Sequence, residues 1–263
     1  MDLQLKGQKA FVSGSTQGIG FSIAAKLLDE GASVIINGRN AGKTREAVEK
    51  LQHLFPGASV SPLVADFSDS RQVESLLTEL NDIDILINNV GVFGIGDFYE
   101  TTDEEWYRYF EINLMSGMRL SRQLLPGMIS RNRGRIIFIS SESGVNVPDN
   151  MIHYGMTKAA MSALSNGLSK LTKGSLVTVN TILGGPTYSD GVADTIEHIA
   201  GLQNMQAADM KAAIIQQSNP HILLQRFIDP DEIAHLAVYL CSPLSVATNG
   251  ASLRADSGVL KVI

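Results

Sequence analysis

The 263-residue chain has one cysteine, Cys241, so no disulfide can close within it and no thiolate zinc site can be built. Its five histidines, at positions 53, 153, 198, 221 and 235, show no short metal-ligand spacing. No apolar run approaches the roughly 18 residues of a membrane span, and the apolar stretch in the opening MDLQLKGQKAFVSG is too short for a signal peptide. A cytoplasmic protein with no membrane partner is expected. Basic residues are few and scattered: 21 Lys and Arg face 27 Asp and Glu, a net charge of −6, with no stripe to track a phosphate backbone. Nucleic acid is therefore not an expected partner.

The chain has the 44% hydrophobic and 18% charged residues of an ordinary globular protein, and its length suits one doubly wound α/β domain spanning residues 1–263. Short runs rich in β-branched residues alternate with segments of helical period, the pattern of strand and helix units around a parallel sheet. The expected strands are Lys9 to Ser13, Ser33 to Asn37, Ser59 to Ala65, Ile83 to Asn88, Arg135 to Ser140, Leu176 to Ile182 and Ala251 to Ala255. Most lack strict polar alternation, as strands covered on both faces do.

Ile19, Ile23, Leu27 and Leu28 form one apolar helical face that Gly31 can cap, and Val73, Leu76, Leu77 and Leu80 form another after the candidate caps Ser68 and Asp69. A long helix can begin at Thr102 or Asp103 and run towards Arg131, with Pro126 kinking or shortening it. His153 to Leu171 reads as a further helix. At about 184–228, Met205, Met210, Ile214 and Ile215 point to helices outside the basic alternation, an insertion of the kind that covers a binding site.

Directly after the first strand comes Ser13-Gly14-Ser15-Thr16-Gln17-Gly18-Ile19-Gly20, leading into the first helix. Gly14 permits a tight turn, Gly18 lets backbone approach a pyrophosphate, and Gly20 permits close helix packing, while the helix N-terminus favours negative charge. A dinucleotide is the expected cofactor. At the end of the second strand a neutral Asn37 stands where an acid would take the ribose hydroxyls, and Arg39 follows, able to bond a 2′-phosphate. NADP(H) is thus preferred, with NAD(H) also admitted, because Ser15-Thr16-Gln17 contains no basic residue.

Tyr154 and Lys158 stand at i and i+4, on one face of a helix. Ser141 lies thirteen residues before Tyr154 at a strand end, and Asn88-Asn89-Val90-Gly91 and Asn113 lie earlier. With these motifs in order the chain resembles the short-chain dehydrogenase/reductase family over nearly its whole length. Within the family it looks similar to the members related to 3-oxoacyl-carrier-protein reductases. The glycine turn is similar to that family's TGxxxGxG, Asn88 to Gly91 to its NNAG, and Tyr154 with Lys158 to its YxxxK. Asn180 leading to Gly184-Gly185-Pro186-Thr187 resembles the stretch facing the nicotinamide, and Asn249-Gly250 through Gly258 the final strand and its exit.

The resemblance implies a Rossmann-type fold, a seven-stranded parallel sheet with helices on both faces. It places Asn113, Ser141, Tyr154 and Lys158 on the family's catalytic tetrad. It adds Asp66 and Phe67 near the adenine, and Asn89, Gly91, Gly185, Pro186 and Thr187 along the cofactor. Reducing a carbonyl leaves an alkoxide, so a proton and charge stabilisation are needed. Tyr154 would supply the proton, its pKa lowered from about 10 by the Lys158 ammonium and an oxidised nicotinamide. Ser141 would polarise the substrate oxygen, and Asn113 would help hold a proton-relaying water. Gly184, where relatives have Pro, should loosen that turn.

Val92, Phe93, Val147 and the segment after Pro186 are the expected substrate contacts. The expected activity is interconversion of a small carbonyl compound and its secondary alcohol. An NAD-dependent alcohol dehydrogenase and a non-catalytic dinucleotide-binding regulator are the alternatives. The family's habit implies a homotetramer, and the apolar tail Val259 to Ile263 is expected near its interface.

Overall fold

The computed structural model describes residues 1–203 and 205–262. Seven strands, β1 (Lys9–Val12), β2 (Ser33–Gly38), β3 (Val60–Val64), β4 (Ile85–Asn88), β5 (Arg135–Ser141), β6 (Thr178–Gly184) and β7 (Ser252–Ala255), form one sheet in the order β3-β2-β1-β4-β5-β6-β7. Every pairing is parallel. The strand order reverses beside β1, where the chain crosses from β3 at one edge to β4 at the centre. The crevice beyond the carboxyl ends of β1 and β4 is where such sheets bind ligands.

Side chains of a strand alternate between faces, so a sheet covered on both sides carries apolar residues on both. The central strands show this directly. Ala10, Val12, Ile85, Ile87, Ile137 and Ile139 enter one core with α1 (Gly18–Asp29), α2 (Ala41–Leu54) and α9 (Pro230–Cys241). Phe11, Leu86, Ile136 and Phe138 enter the other, with α3 (Ser70–Glu79), α5 (Ser116–Ser130) and α6 (Ile152–Leu171). Local signals set the helix ends. Asp69 caps α3 by accepting the amides of Arg71 and Gln72, and Gly31 leaves α1 at φ +80°. α2 and α9 were not anticipated, although Asn40 accepts the Lys43 amide at the start of α2 and Asp229 with Glu232 forms a capping box before α9.

Two departures from the sequence reading shape the site. Strand β6 starts at Thr178 rather than Leu176 and continues to Gly184, because pairing with Ser141 of β5 and Ala255 of β7 carries it past Ile182. The expected long helix begins at α4 (Asp103–Tyr109), with Thr102 accepting the Glu105 amide. It then widens into a π turn over Phe110–Met115 before α5 resumes. Pro126 lies inside α5, which runs on to Ser130 instead of stopping there.

Between β6 and α9 lie α7 (Asp190–Leu202) and α8 (Ala207–Ser218), helices outside the basic alternation, as expected. Ile196, Ala200 and Met210 give them a small apolar cluster of their own. Val259 and Leu260 of the tail are buried against their own chain, with the Leu260 amide donating to Asp256. That part of the tail already has cover; Ile263 lies outside the described residues.

Candidate active site

The glycine turn is held by side chains that the sequence suggested as cofactor contacts. Ser13 Oγ donates to the Ile87 carbonyl at 3.1 Å and accepts the Asn89 and Val90 amides at 3.0 and 3.1 Å. Ser15 Oγ donates to the Val12 carbonyl at 2.6 Å and accepts the Asn37 amide at 2.9 Å. Asn89 Nδ2 donates to the carbonyls of Ser13 and Gly14 at 3.0 and 2.8 Å. Asn37 is buried; its Oδ1 accepts the Gly14 amide at 3.1 Å and its Nδ2 donates to the carbonyls of Leu63 and Ala65. These bonds consume the Asn37 side chain, so it does not face a ribose, contrary to expectation.

Gly38 is the residue turned towards the loop, since a Cβ there would stand 2.4 Å from Thr16 Cγ2, and it carries no carboxylate. Arg39 is exposed and has no ion-pair partner among the described residues. The Phe67 ring is buried in the core with Val73, Leu76 and Leu80 of α3 and its end. Asp66 Oδ1 is engaged by the Ser68 amide and hydroxyl.

The turn fits a dinucleotide pyrophosphate. Gly14 adopts φ +59°, and a Cβ on it would meet Val90 Cα at 2.9 Å; one on Gly20 would meet the Gly14 carbonyl at 2.5 Å. The first residues of α1 therefore press against the turn. Gln17 gives α1 no side-chain cap, and the Gly18 amide instead donates to the Asp190 carboxylate at 2.6 Å. An anionic oxygen already sits on this helix N-terminus, as its partial positive charge favours.

Further along the crevice, β5 ends at Ser141, a short 3-10 turn covers Glu142–Gly144, and α6 presents Tyr154 and Lys158. Lys158 is buried; its Nζ donates to the Ile139 carbonyl at 2.9 Å and lies 5.6 Å from the Tyr154 ring centre. Burial lowers the Lys158 pKa to about 8, against the raising effect of Glu142. Burial also pushes the Tyr154 phenol above its ordinary value. A hydrogen bond with Ser141 pulls it down, and the Glu142 charge pushes it further up. The depressed phenol expected from Lys158 is therefore not a property of the polypeptide alone: burial raises it, and the Lys158 ammonium spends a proton on the Ile139 carbonyl.

Asn113 sits in the π turn and is buried. Its Oδ1 accepts the Val92 amide at 2.7 Å, while Nδ2 donates to the Val92 carbonyl and to Thr157 Oγ1, each at 3.0 Å. It clamps the loop after β4 to α6, one turn from Tyr154. Gly91 lies against both Asn113 and Lys158, 3.4 and 3.6 Å from where its Cβ would be.

A cavity of about 410 Å³ joins the glycine turn to Ser141, Tyr154 and Lys158, with Val92, Phe93, Gly185, Pro186 and Thr187 in its wall. Val147 is not in that wall; it packs instead at Gly155, whose Cβ would be 2.6 Å from it. Gly184 is paired on both sides within β6, so its backbone freedom is not expressed as a loose turn. Gly185 is required by close packing, since its Cβ would meet Asp256 Cα at 2.8 Å. Ser189 and Val192, in the expected segment after Pro186, line the cavity too, whereas the sequence reading missed Glu142 and Met151 in its wall. Only Glu142 carried a signal, as a charged residue directly after the candidate serine.

A family model for short chain dehydrogenases matches residues 8–200. The uncharacterised oxidoreductase YvaG of Bacillus subtilis is 39% identical over 263 residues, covering all of both chains. A 3-oxoacyl-[acyl-carrier-protein] reductase of Aquifex aeolicus is 28% identical over 263 residues, covering 98% of this chain and 100% of its own. Among solved structures, L-sorbose reductase from Gluconobacter frateurii, complexed with NADPH and L-sorbose, superposes with a TM-score of 0.92 at 29% identity, covering 100% of each chain. The protein belongs to the short-chain dehydrogenase/reductase family, with a Rossmann-type fold, and is an oxidoreductase acting between CH–OH and C=O groups.

Proposed function

We propose that the protein is an NADP(H)-dependent reductase that interconverts a small carbonyl compound and its secondary alcohol. The observation that carries this reading is the meeting, in one cavity, of an anion-ready glycine turn with Ser141, Tyr154 and Lys158. A nicotinamide dinucleotide bound there supplies or accepts the hydride. Gly14, Ser15, Thr16, Gln17, Gly18, Ile19 and Gly20 hold its phosphates, and Asp66, Asn89, Gly91, Gly185, Pro186 and Thr187 border the rest.

Tyr154 donates a proton to the carbonyl oxygen in reduction and removes one from the alcohol in oxidation. Burial keeps its phenol protonated at neutral pH, so the proton the reductive direction needs is in place. Ser141, within hydrogen-bond reach of Tyr154, fixes the reacting oxygen. Lys158, half-discharged near pH 8, holds the cofactor ribose and stabilises phenolate as charge develops. Asn113 is a positioning residue that locks the loop at Val92 to α6. α7 and α8 cover the substrate, which explains why Ser189 and Val192 reach the wall.

NADP(H) is favoured because Arg39 is exposed at the end of β2 and Gly38 brings no carboxylate to repel a 2′-phosphate. The NADPH in the L-sorbose reductase structure agrees with this. A homotetramer is favoured by exposed Tyr99, Tyr107 and Phe110 on and around α4. No helix among the described residues is long and apolar enough to cross a membrane. Thermal unfolding with NADPH or NADH at matched concentration tests the cofactor assignment, since ligand binding to the native state raises stability by mass action. Greater stabilisation by NADPH supports it; greater stabilisation by NADH overturns it, and no response to either favours a protein without turnover.

A further inference from the structure

Glu142 is the one carboxylate among the described residues of the cavity wall, and it adjoins Ser141 in sequence. Its Oε2 accepts a hydrogen bond from the Ser141 hydroxyl and another from the Ser143 amide at 2.8 Å. Its Oε1 accepts the Ser143 hydroxyl at 3.2 Å, and the Ser143 amide also donates to Ser141 Oγ at 3.1 Å. A serine hydroxyl has one proton to give. Here Glu142 takes that proton in competition with the Tyr154 oxygen, so a carbonyl oxygen meets a Ser141 hydroxyl that is already engaged. A negative charge also stands beside the position where alkoxide charge develops. Both features hinder a plain ketone.

A substrate with its own donor removes both obstacles. The two oxygens of an α-hydroxy ketone lie close enough for one to meet Ser141 while the neighbouring hydroxyl donates to Glu142. A hydroxyl that takes Oε2, whose two lone pairs the Ser141 hydroxyl and the Ser143 amide already fill, displaces Ser141, which can turn its proton onto the reacting oxygen, and the carboxylate charge is spread into a new hydrogen bond. A 2-oxo acid instead sets a carboxylate against Glu142. The one cation among the described residues of the wall, Lys158, is directed at the Ile139 carbonyl and offers that acid little compensation.

We propose that Glu142 determines specificity, selecting carbonyl compounds with a hydroxyl on the adjacent carbon, and vicinal diols in the oxidative direction. This rests on the reading of the site as a carbonyl–alcohol oxidoreductase. The test compares kcat/KM with NADPH for 1-hydroxy-2-butanone, its isostere 3-pentanone and the acid 2-oxobutanoate, in wild type, Glu142→Gln and Glu142→Ala, with NADPH affinity measured by fluorescence titration.

Wild type is expected to prefer the hydroxy ketone at least tenfold over 3-pentanone and more strongly over the acid. Both variants should keep NADPH affinity within about twofold while narrowing each ratio several-fold. The pH limb for oxidation of 1,2-butanediol should also move to lower pH in Glu142→Gln, because removing a neighbouring negative charge eases phenol ionisation. Turnover of the ketones with ratios and pH limb unchanged by the substitutions overturns the assignment of Glu142 alone. Tight NADPH binding with no turnover of any compound overturns both it and the reading it rests on.

Discussion

Replacing Lys158 by Met should change the way stability depends on pH, and the structure supplies the size of the effect. Lys158 is 5% exposed, and its pKa falls from 10.5 to about 8 on burial. Below about pH 8 folded and unfolded chains both carry the ammonium, so the whole cost of burying it, about 3 kcal/mol, is present. Between about 8 and 10.5 the folded chain releases its proton first and binds fewer protons than the unfolded chain, so stability rises with pH. Above that range neither state is charged there and the cost is gone. Met keeps the stem without the charge. Losing the hydrogen bond to the Ile139 carbonyl costs a pH-independent amount. Urea unfolding of both proteins without cofactor, at intervals from pH 7 to 10, gives the difference directly. Wild type should gain on the variant across the upper half of that range, by roughly 2 to 3 kcal/mol in total. A difference that stays flat would show that the ammonium is not penalised, and the account of Lys158 as a near-neutral pKa group would fail.

Arg39→Ala should weaken NADPH binding tenfold or more while leaving NADH within about twofold, read by fluorescence titration; equal losses for both would remove Arg39 as the 2′-phosphate contact. Gly20→Val drives a side chain into the Gly14 carbonyl and Ser15, so thermal melts should show a loss of about 1–3 kcal/mol and NADPH should no longer stabilise the protein. Light scattering should give a mass near four times the 28.3 kDa chain, and a monomer at working concentration would refute the tetramer.

The sheet was legible because its central strands carry apolar residues on both faces, which only a strand covered on both sides tolerates. Strand ends were less so. Gly184 and Gly185 look like a turn in sequence, yet pairing on two sides draws Gly184 into β6 and sets it beside Ser141. The glycine turn and the Tyr154–Lys158 pair could be read from spacing, because their geometry is local. The roles of Asn37 and Asn113 could not. Each depends on partners far along the chain: Asn37 on Gly14, Leu63 and Ala65, and Asn113 on Val92 and Thr157. The π turn that aims Asn113 has no marker in composition, being an extra residue of helical register settled by packing. Nor could the phenol's shift be foreseen, since burial, the largest cause of it at Tyr154, exists only in the folded chain.

In the proposed mechanism Tyr154 carries the proton in a carbonyl–alcohol interconversion. The most direct measurement is the single-turnover decay of NADPH absorbance on mixing with 1-hydroxy-2-butanone, in wild type and in Tyr154→Phe, with NADPH binding measured on the same samples. The variant should bind NADPH within about threefold of wild type and lose roughly 10²–10⁴ of the rate. A correctly folded variant that binds the cofactor and consumes it at the wild-type rate would contradict the account.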